Sequence, residues 1–148
     1  LYGRADPSGT GALFRDTIDE LEADIEDLHG VTIETVVVGD AALDDGLDAV
    51  VGAVREALVN AAKFSGRADV SLFVELGPDR VEAFVRDRGL GFDPASIPDD
   101  RHGVRDSIIR RMQRAGGSAI IRSAPGRGTE IELSLPVRET APKGTVNG

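Results

Sequence analysis

The chain has 148 residues and a formal net charge of −9 at pH 7, so it is long enough for one domain with a buried core. The acidic balance argues against a nucleic-acid partner, because neutralising phosphates requires a basic surface. Cysteine is absent and only two histidines are present, so disulfides and thiolate metal sites are excluded and a zinc site is not expected.

No membrane contact is expected of these residues, because no apolar run approaches the roughly 20 residues of a spanning helix. A signal peptide is not predicted either, since the start lacks a basic region followed by an apolar one. The sequence begins with Leu1. We therefore expect a cytoplasmic part of a longer protein, with any membrane anchor upstream.

The first half of the chain predicts a linker, a helix, a strand and a second helix. Residues 1–11 contain one proline and three glycines, which is typical of a linker. A β-branched run over 31–38 predicts a strand, and residues 44–63 predict a helix with one apolar side. A helix over 13–29 is predicted from apolar residues at helical spacing, which are Phe14, Ile18, Leu21, Ile25 and Leu28.

The second half predicts a hairpin, a helix and another hairpin. Its strands alternate apolar and polar residues, the pattern of a half-buried sheet. The predicted elements are strands from Val70 and from Val81, a helix over 103–115, and strands over 118–123 and 128–135. We expect residues 12–136 to form one domain and the polar tail 137–148 to be disordered. Helices on one face of a mixed, mostly antiparallel sheet make an α+β two-layer sandwich.

Glu56, Asn60 and Lys63 recur at four- and three-residue spacing, so the helix over 44–63 would place them on one polar face. Each alone is an ordinary surface residue, although asparagine is a mediocre helix former. Magnesium prefers oxygen ligands and keeps several waters, so the Asn60 carbonyl with substrate phosphates makes a credible set. Glu56 would orient or deprotonate a nearby hydroxyl or water, and Lys63 would bring a positive charge to phosphate oxygens.

A glycine-rich turn follows the strand that ends at Asp87. A buried carboxylate there needs a hydrogen-bond donor, and the exocyclic amine of a purine would be one. Gly89 and Gly91 would let the backbone approach a flat ring closely. An ordinary glycine-rich hairpin end is the alternative.

Two further segments fit a nucleotide pocket. Gly103 leads into a helix whose free amides would attract an anion, and Arg101 and Arg105 would add charge-assisted contacts. The alternative for this basic helix is a solvated face. Residues 126–129, Gly-Arg-Gly-Thr, predict a hairpin turn, and Thr129 would bond near Asp87 if the two strands are neighbours.

Together these segments resemble a known family. Residues 55–63, Arg-Glu-Ala-Leu-Val-Asn-Ala-Ala-Lys, resemble the N box of the GHKL ATPase superfamily. Residues 87–92 resemble its G1 box, and residues 126–129 resemble its glycine-threonine turn. In order and spacing they are similar to the catalytic, ATP-binding domain of bacterial two-component sensor histidine kinases. The subgroup with a short lid over ATP, paired with LuxR-type response regulators, is the most similar.

The resemblance implies the Bergerat α/β sandwich and binding of ATP with magnesium. It implies that Asn60 binds magnesium, Glu56 assists phosphoryl transfer and Lys63 contacts phosphate. The implied partners are ATP, a phosphoacceptor histidine on an upstream dimerisation domain of the same membrane-anchored sensor and, indirectly, a response regulator. The other implied nucleotide-binding residues are Asp87 at the adenine amine, Gly89 and Gly91 at the base and lid hinge, Arg101, Gly103, Val104 and Arg105 at the helix after the lid, and Thr129 in the adenine network.

The chain departs from the family pattern in three places. Phe64 stands where a histidine is usual, the glycine box at the end of the lid is reduced to Gly103, and the lid, roughly residues 94–102, is very short. Neither His29 nor His102 lies in a phosphoacceptor motif, so this chain is not expected to phosphorylate itself. Two alternatives stay open: a serine kinase of the anti-sigma-factor type, and a degenerate, non-catalytic module that binds nucleotide or a partner protein.

Overall fold

The computed structural model describes residues 12–64, 69–91 and 99–137, with the backbone alone described at 64, 99–102 and 104. The predicted linker, most of the predicted lid and the tail after residue 137 lie outside the described residues. The helices are α1 (Phe14–His29), α2 (Asp45–Phe64) and α3 (Asp99–Arg114), and the strands are β1 (Thr32–Val38), β2 (Asp69–Leu76), β3 (Arg80–Asp87), β4 (Ser118–Ser123) and β5 (Thr129–Pro136).

Helix α3 begins at Asp99, four residues before the predicted start at residue 103. Its first two residues are aspartates in sequence, a residue type that is enriched in the first turn of helices. Residues 99–102 are therefore helical, whereas the sequence assigned them to the lid. Gly103 lies within the helix and does not lead into it.

The five strands form one sheet in the order β1-β2-β3-β5-β4. β1 runs parallel to β2, and every other neighbouring pair is antiparallel. A parallel neighbour needs a crossover, and α2 supplies it between β1 and β2. The predicted α+β sandwich with a mixed, mostly antiparallel sheet is thus confirmed.

The core lies between the helices and one face of this sheet. The buried strand residues alternate, as the pleat requires: β2 buries Val70, Leu72 and Val74, and β5 buries Ile131 and Leu133. Helix α2 contacts β2, β3 and β5 and lies between α1 and α3. The other face of the sheet carries exposed apolar and charged residues. The helices therefore cover one face, as predicted.

Two residues differ from their predicted places. Leu28, expected in the apolar stripe of α1, is 79% exposed, because the stripe leaves the core near the helix end at Gly30. Val137, expected in the tail, packs against the core and donates its N–H to the Asp79 carbonyl at 2.9 Å. Within the described residues, no helix has the length and apolar character needed to cross a membrane.

Candidate active site

The chain connections bring the predicted site segments to one end of the sandwich, which we call the site end. Val70, at the start of β2, pairs with Asp87, at the end of β3, and Asp87 also pairs with Thr129, at the start of β5. Helix α2 ends at Phe64, five residues before β2 begins. Helix α3 runs toward the start of β4, so its own start faces the site end. The predicted N box, glycine turn and threonine turn therefore meet there.

Asp87 and Thr129 form a buried polar pair within an apolar layer. Each is only 5% exposed, and both lie on the helix-covered face in register with the apolar residues of their strands. The Thr129 hydroxyl is 2.9 Å from the Ser123 hydroxyl, which donates to the Gly128 carbonyl at 2.9 Å. The sequence predicted a bond of Thr129 near Asp87 if their strands are neighbours, and the register shows that the strands are neighbours and that the two residues are paired. Ser123 was missed, although its position at the end of β4 could have indicated it.

The glycine turn after β3 packs against the turn between β4 and β5. The Gly89 N–H donates to Asp87 Oδ1 at 2.9 Å, and the Gly126 N–H donates to the Leu90 carbonyl at 2.7 Å. Gly91 has φ +66°, and a Cβ there would clash with the Ala124 carbonyl and lie 2.9 Å from the Gly128 oxygen. Only glycine fits this combination of conformation and close approach. The turn thus supplies part of the donor set that the Asp87 carboxylate requires.

Asn60 carries a buried polar atom without a hydrogen-bond partner. Among the described residues, its Oδ1 is a buried side-chain oxygen for which the structure provides no donor. An unpaired buried amide oxygen costs free energy, so it indicates a missing partner. A magnesium ion accepts this type of ligand, and Asn60 fits the role assigned from the sequence. Lys63, on the next turn toward the helix end, is exposed. The described residues contain no group of three or more His, Asp or Glu that could hold a metal ion.

Glu56 lies one turn before Asn60 and faces α3. Both of its carboxylate oxygens accept from the Ser107 hydroxyl, Oε2 at 2.8 Å and Oε1 at 3.1 Å. Arg111 Nε donates to Oε1 at 3.3 Å. The side chain keeps 27% of its surface exposed, so its oxygens are held by α3 and still reach solvent. The sequence left a solvated face open as the alternative for this basic helix, and it did not predict either contact, although Ser107 and Arg111 are four residues apart and share one helix face.

The start of α3 differs from the predicted anion site. Gly103 is the fifth residue of the helix, whereas the unpaired amides of a helix belong to its first four residues. Gly103 is therefore not among the residues whose amides a helix leaves unpaired. Arg105 is half-buried, and the Arg101 and Val104 side chains lie outside the described part of the structure.

Two cavities border this end of the sheet. One, of about 470 Å³, is lined by Asp87, Gly128 and Thr129 together with four arginines. Another, of about 650 Å³, lies on the open face of the sheet and is lined by Val36, Phe73 and Phe84 among others. It contains none of the predicted site residues. The first cavity reaches Asp87 and Thr129 at the end of the sheet, and its Arg86, Arg88, Arg122 and Glu130 lie on the open face.

A family model described as Histidine kinase-, DNA gyrase B-, and HSP90-like ATPase matches residues 47–139. The chain is 29% identical over 101 residues to the sensor histidine kinase LiaS of Bacillus subtilis, and the match covers 68% of this chain and 28% of LiaS. It is 30% identical over 115 residues to an uncharacterized sensor-like histidine kinase of Chloroflexus aurantiacus, and this match covers 74% of the present chain and 19% of that kinase. The chain thus spans less than a third of the length of these relatives.

Solved structures show the same fold. The mycobacterial sensor histidine kinase MprB superposes with a TM-score of 0.66 at 22% identity, covering 84% of this chain and 95% of that one. The histidine kinase domain of the Erythrobacter litoralis EL346 blue-light activated histidine kinase gives 0.65 at 19% identity, covering 83% and 64%. At these identities the likeness establishes the architecture alone.

Proposed function

The chain belongs to the histidine kinase-, DNA gyrase B- and HSP90-like ATPase family, and from this premise we propose that it is the ATP-binding catalytic domain of a sensor histidine kinase. It transfers the γ-phosphoryl group of ATP to a histidine on a dimerisation domain of the same protein. That domain then passes the group to a response regulator. Magnesium is the proposed metal ion, and the similarity to the sensor histidine kinase LiaS supports the kinase context.

The observation that carries the proposal is the unpaired Oδ1 of Asn60. Among the described residues the Asn60 Oδ1 has no donor, so this oxygen stabilises the apo fold by no hydrogen bond within that part of the chain. We infer that this oxygen binds a cation, and the Glu56 carboxylate lies one turn away on the same side of α2. When bound, magnesium would neutralise negative charge on the transferring phosphates. The remaining metal ligands would be phosphate oxygens and water.

The adenine end of the site is proposed at Asp87 and Thr129. A carboxylate accepts several hydrogen bonds, so Asp87 can bind the exocyclic amine while it keeps the Gly89 N–H. Because this pair is buried, its hydrogen bonds act in a medium of low dielectric and discriminate strongly between bases. Because Gly91 has no side chain, the backbone of this turn can lie close to the adenine ring. Specificity for adenine over guanine would follow, since guanine places a carbonyl where adenine has the amine.

The phosphate end is proposed at Lys63 and at the start of α3. Lys63 is exposed near the end of α2, and Arg105 is half-buried on α3, so both can approach phosphate oxygens as positive charges. The first amides of α3 would add donors for an anion at the helix start. These groups orient the triphosphate so that its terminal phosphorus faces the acceptor.

Glu56 is the proposed proton acceptor in the transfer step. A nitrogen of the neutral acceptor imidazole attacks the γ-phosphorus, and a nitrogen–phosphorus bond forms. The bond from phosphorus to the β–γ bridging oxygen breaks, and ADP keeps its electron pair. The other ring nitrogen loses its proton, which Glu56 accepts. The carboxylate is suited to this because it is fixed by α3 yet partly exposed. Positioning and charge neutralisation supply most of the rate, as in other phosphoryl transfers.

The proposal is tested by calorimetric titration of ATP into the chain with and without magnesium. The wild-type chain is expected to bind ATP in a magnesium-dependent way. Asn60→Leu removes the Oδ1 ligand and is expected to weaken magnesium-ATP binding at least tenfold, with an apo melting temperature no lower than wild type. Asp87→Asn keeps an acceptor for Gly89 but presents a donor to the adenine amine, and is expected to weaken ATP binding at least tenfold. Unchanged affinity in both variants would refute the site.

The remaining alternatives are separated by transfer assays. Transfer of labelled phosphate to a histidine-bearing dimerisation domain supports the kinase, whereas transfer to a serine of a protein antagonist favours the anti-sigma type. ATP binding without transfer to either favours a degenerate module. In that case Phe64→His, which restores the residue usual in the family, is expected to restore transfer if Phe64 alone is disabling.

A further inference from the structure

We propose that Ser107 and Arg111 are positioning residues that hold the Glu56 carboxylate in place for proton transfer. This inference rests on the proposed function, in which Glu56 is the proton acceptor. Neither residue belongs to the predicted nucleotide-binding set. The contacts they make are the only ones that the described residues supply to the Glu56 carboxylate.

The contact joins two helix faces with matching spacing. On α2, Gly52 and Glu56 are one turn apart, and on α3, Ser107 and Arg111 are one turn apart. The Ser107 hydroxyl lies 2.8 and 3.1 Å from the two carboxylate oxygens, and Arg111 Nε adds a bond of 3.3 Å from the side. Bonds from two directions restrict rotation of the carboxylate about its last torsion. A free glutamate on a helix surface would sample several rotamers.

Gly52 makes room for this arrangement. A Cβ at Gly52 would lie 2.8 Å from Arg111 Nη1 and 3.1 Å from its Cζ, so the guanidinium rests directly on the α2 backbone. Glycine in the middle of a helix is otherwise unfavourable. Its presence one turn before Glu56 is explained by the space that Arg111 needs in order to reach the carboxylate.

The core fixes α3 beneath these contacts. Ile108 and Met112 have no exposed surface, and they follow Ser107 and Arg111 by one residue each. The helix end is closed by the Gly117 N–H, which donates to the Met112 carbonyl at 2.8 Å. With Ile108 and Met112 locked in the core, the neighbouring stripe cannot rotate away from α2. Glu56 is therefore held by a rigid element and not by a loop.

Stability alone does not account for the contact. The ion pair leaves 39% of Arg111 and 27% of Glu56 exposed, and pairs of this exposure contribute little to folding. A buried apolar contact between α2 and α3 would stabilise the fold more. α3 also carries the proposed phosphate contacts, at its start and at Arg105. It therefore links the position of the Glu56 carboxylate to that of the triphosphate.

The test measures autophosphorylation in the protein that carries this chain together with its histidine-bearing domain. Ser107→Ala and Arg111→Gln are expected to lower kcat at least tenfold and to leave the ATP Kd and KM within twofold, because a misplaced base loses rate and not nucleotide binding. Ser107→Thr keeps the hydroxyl and is expected to retain most of the rate. Arg110→Gln is the matched control: it removes the same charge from an exposed neighbour on α3 and is expected to leave kcat unchanged.

Gly52→Ala separates positioning from folding. Alanine favours the helix, so the melting temperature is expected to rise or stay equal, while the added methyl group displaces the Arg111 guanidinium and lowers kcat several-fold. A stabilised variant with a lower rate cannot be explained by loss of structure. A stabilised variant with the wild-type rate would count against the role of Arg111.

Glu56→Gln as a background tests whether the residues act through Glu56. Ser107→Ala is expected to cause no further loss of kcat there, since the base is already absent. Equal losses in both backgrounds, or no loss in either, would overturn the inference while leaving the proposed function intact. Failure of the wild-type chain to bind magnesium-ATP would overturn the proposed function, and the inference with it.

Discussion

Replacing Gly128 by alanine probes the close packing of the two turns at the proposed adenine end of the site. Gly128 immediately precedes Thr129 and has φ +76°. A Cβ there would clash with the Asp87 carbonyl oxygen and lie 3.0 Å from the Arg88 Cα. All of these neighbours are backbone atoms, so no side chain can rotate away to relieve the clash. The strand end at Asp87 would have to move.

The loss of folding stability expected for Gly128→Ala has two parts. An L-residue in the left-handed region costs about 1–2 kcal/mol, and overpacking against a fixed neighbour costs about 1–3 kcal/mol more. Gly126, in the same turn, has φ +78° and nothing within 4 Å of its Cβ position. Gly126→Ala should therefore show the first part alone. The two variants differ only in the steric part, about 1–3 kcal/mol, which corresponds to roughly 2–12 °C in melting temperature for a chain of this size.

Scanning calorimetry on both variants measures the stability difference, and calorimetric titration measures the ATP affinity. Gly128→Ala is expected to melt at the lower temperature and to bind ATP at least tenfold more weakly, because Asp87 is displaced. Gly126→Ala is expected to bind within twofold of wild type, since its N–H can still donate to Leu90. Equal melting temperatures would refute the close approach of the turns. Unequal stability with equal affinity would remove Asp87 from the site.

Three further predictions concern the fold. Burial raises the pKa of Glu22 above its ordinary value of 4.5; the negative charges of Asp19 and Glu26 raise it further, and the hydrogen bond from Thr35 opposes the rise. Protonated Glu22 therefore stabilises the fold below pH 4.5, and this stabilisation is lost as the pH rises through the folded-state pKa. Glu22→Gln should raise the melting temperature at pH 7 by more than the exposed control Glu20→Gln, and the gain should vanish near pH 4; a gain independent of pH would contradict this. Met112→Ala, at a fully buried site, should cost about 2–5 kcal/mol in chemical denaturation. Leu28→Ser, at a 79% exposed site, should change stability by less than about 0.5 kcal/mol, and a larger loss would mean that Leu28 is covered.

The sequence predicted the elements well because their signals are local. Periodic apolar residues placed α1 and α2 within one residue of their observed bounds, and the alternation in β5 placed Ile131 and Leu133 on the buried face. Prediction was weaker where contacts between elements determine whether a residue is buried. The stripe of α1 includes Leu28 by spacing, yet the core no longer faces that turn. The start of α3 was set too late, because a glycine was given more weight than the two aspartates in the first turn.

The candidate site divides in the same way. The residues proposed to bind the nucleotide have local signals: Glu56 and Asn60 are one turn apart on α2, and Asp87 ends β3. Ser107 and Arg111, which hold the Glu56 carboxylate, lie on a different helix, and the sequence around them does not indicate that they contact Glu56. Ser107 meets Glu56 across 51 positions of sequence, a distance that only the packing of α3 on α2 closes. The sequence of α3 predicts only a basic surface, whereas in the structure one face of α3 binds the Glu56 carboxylate. Whether Glu56 is held or free therefore depends on a contact that local pattern cannot supply, and the Gly52→Ala variant tests that contact from the opposite helix.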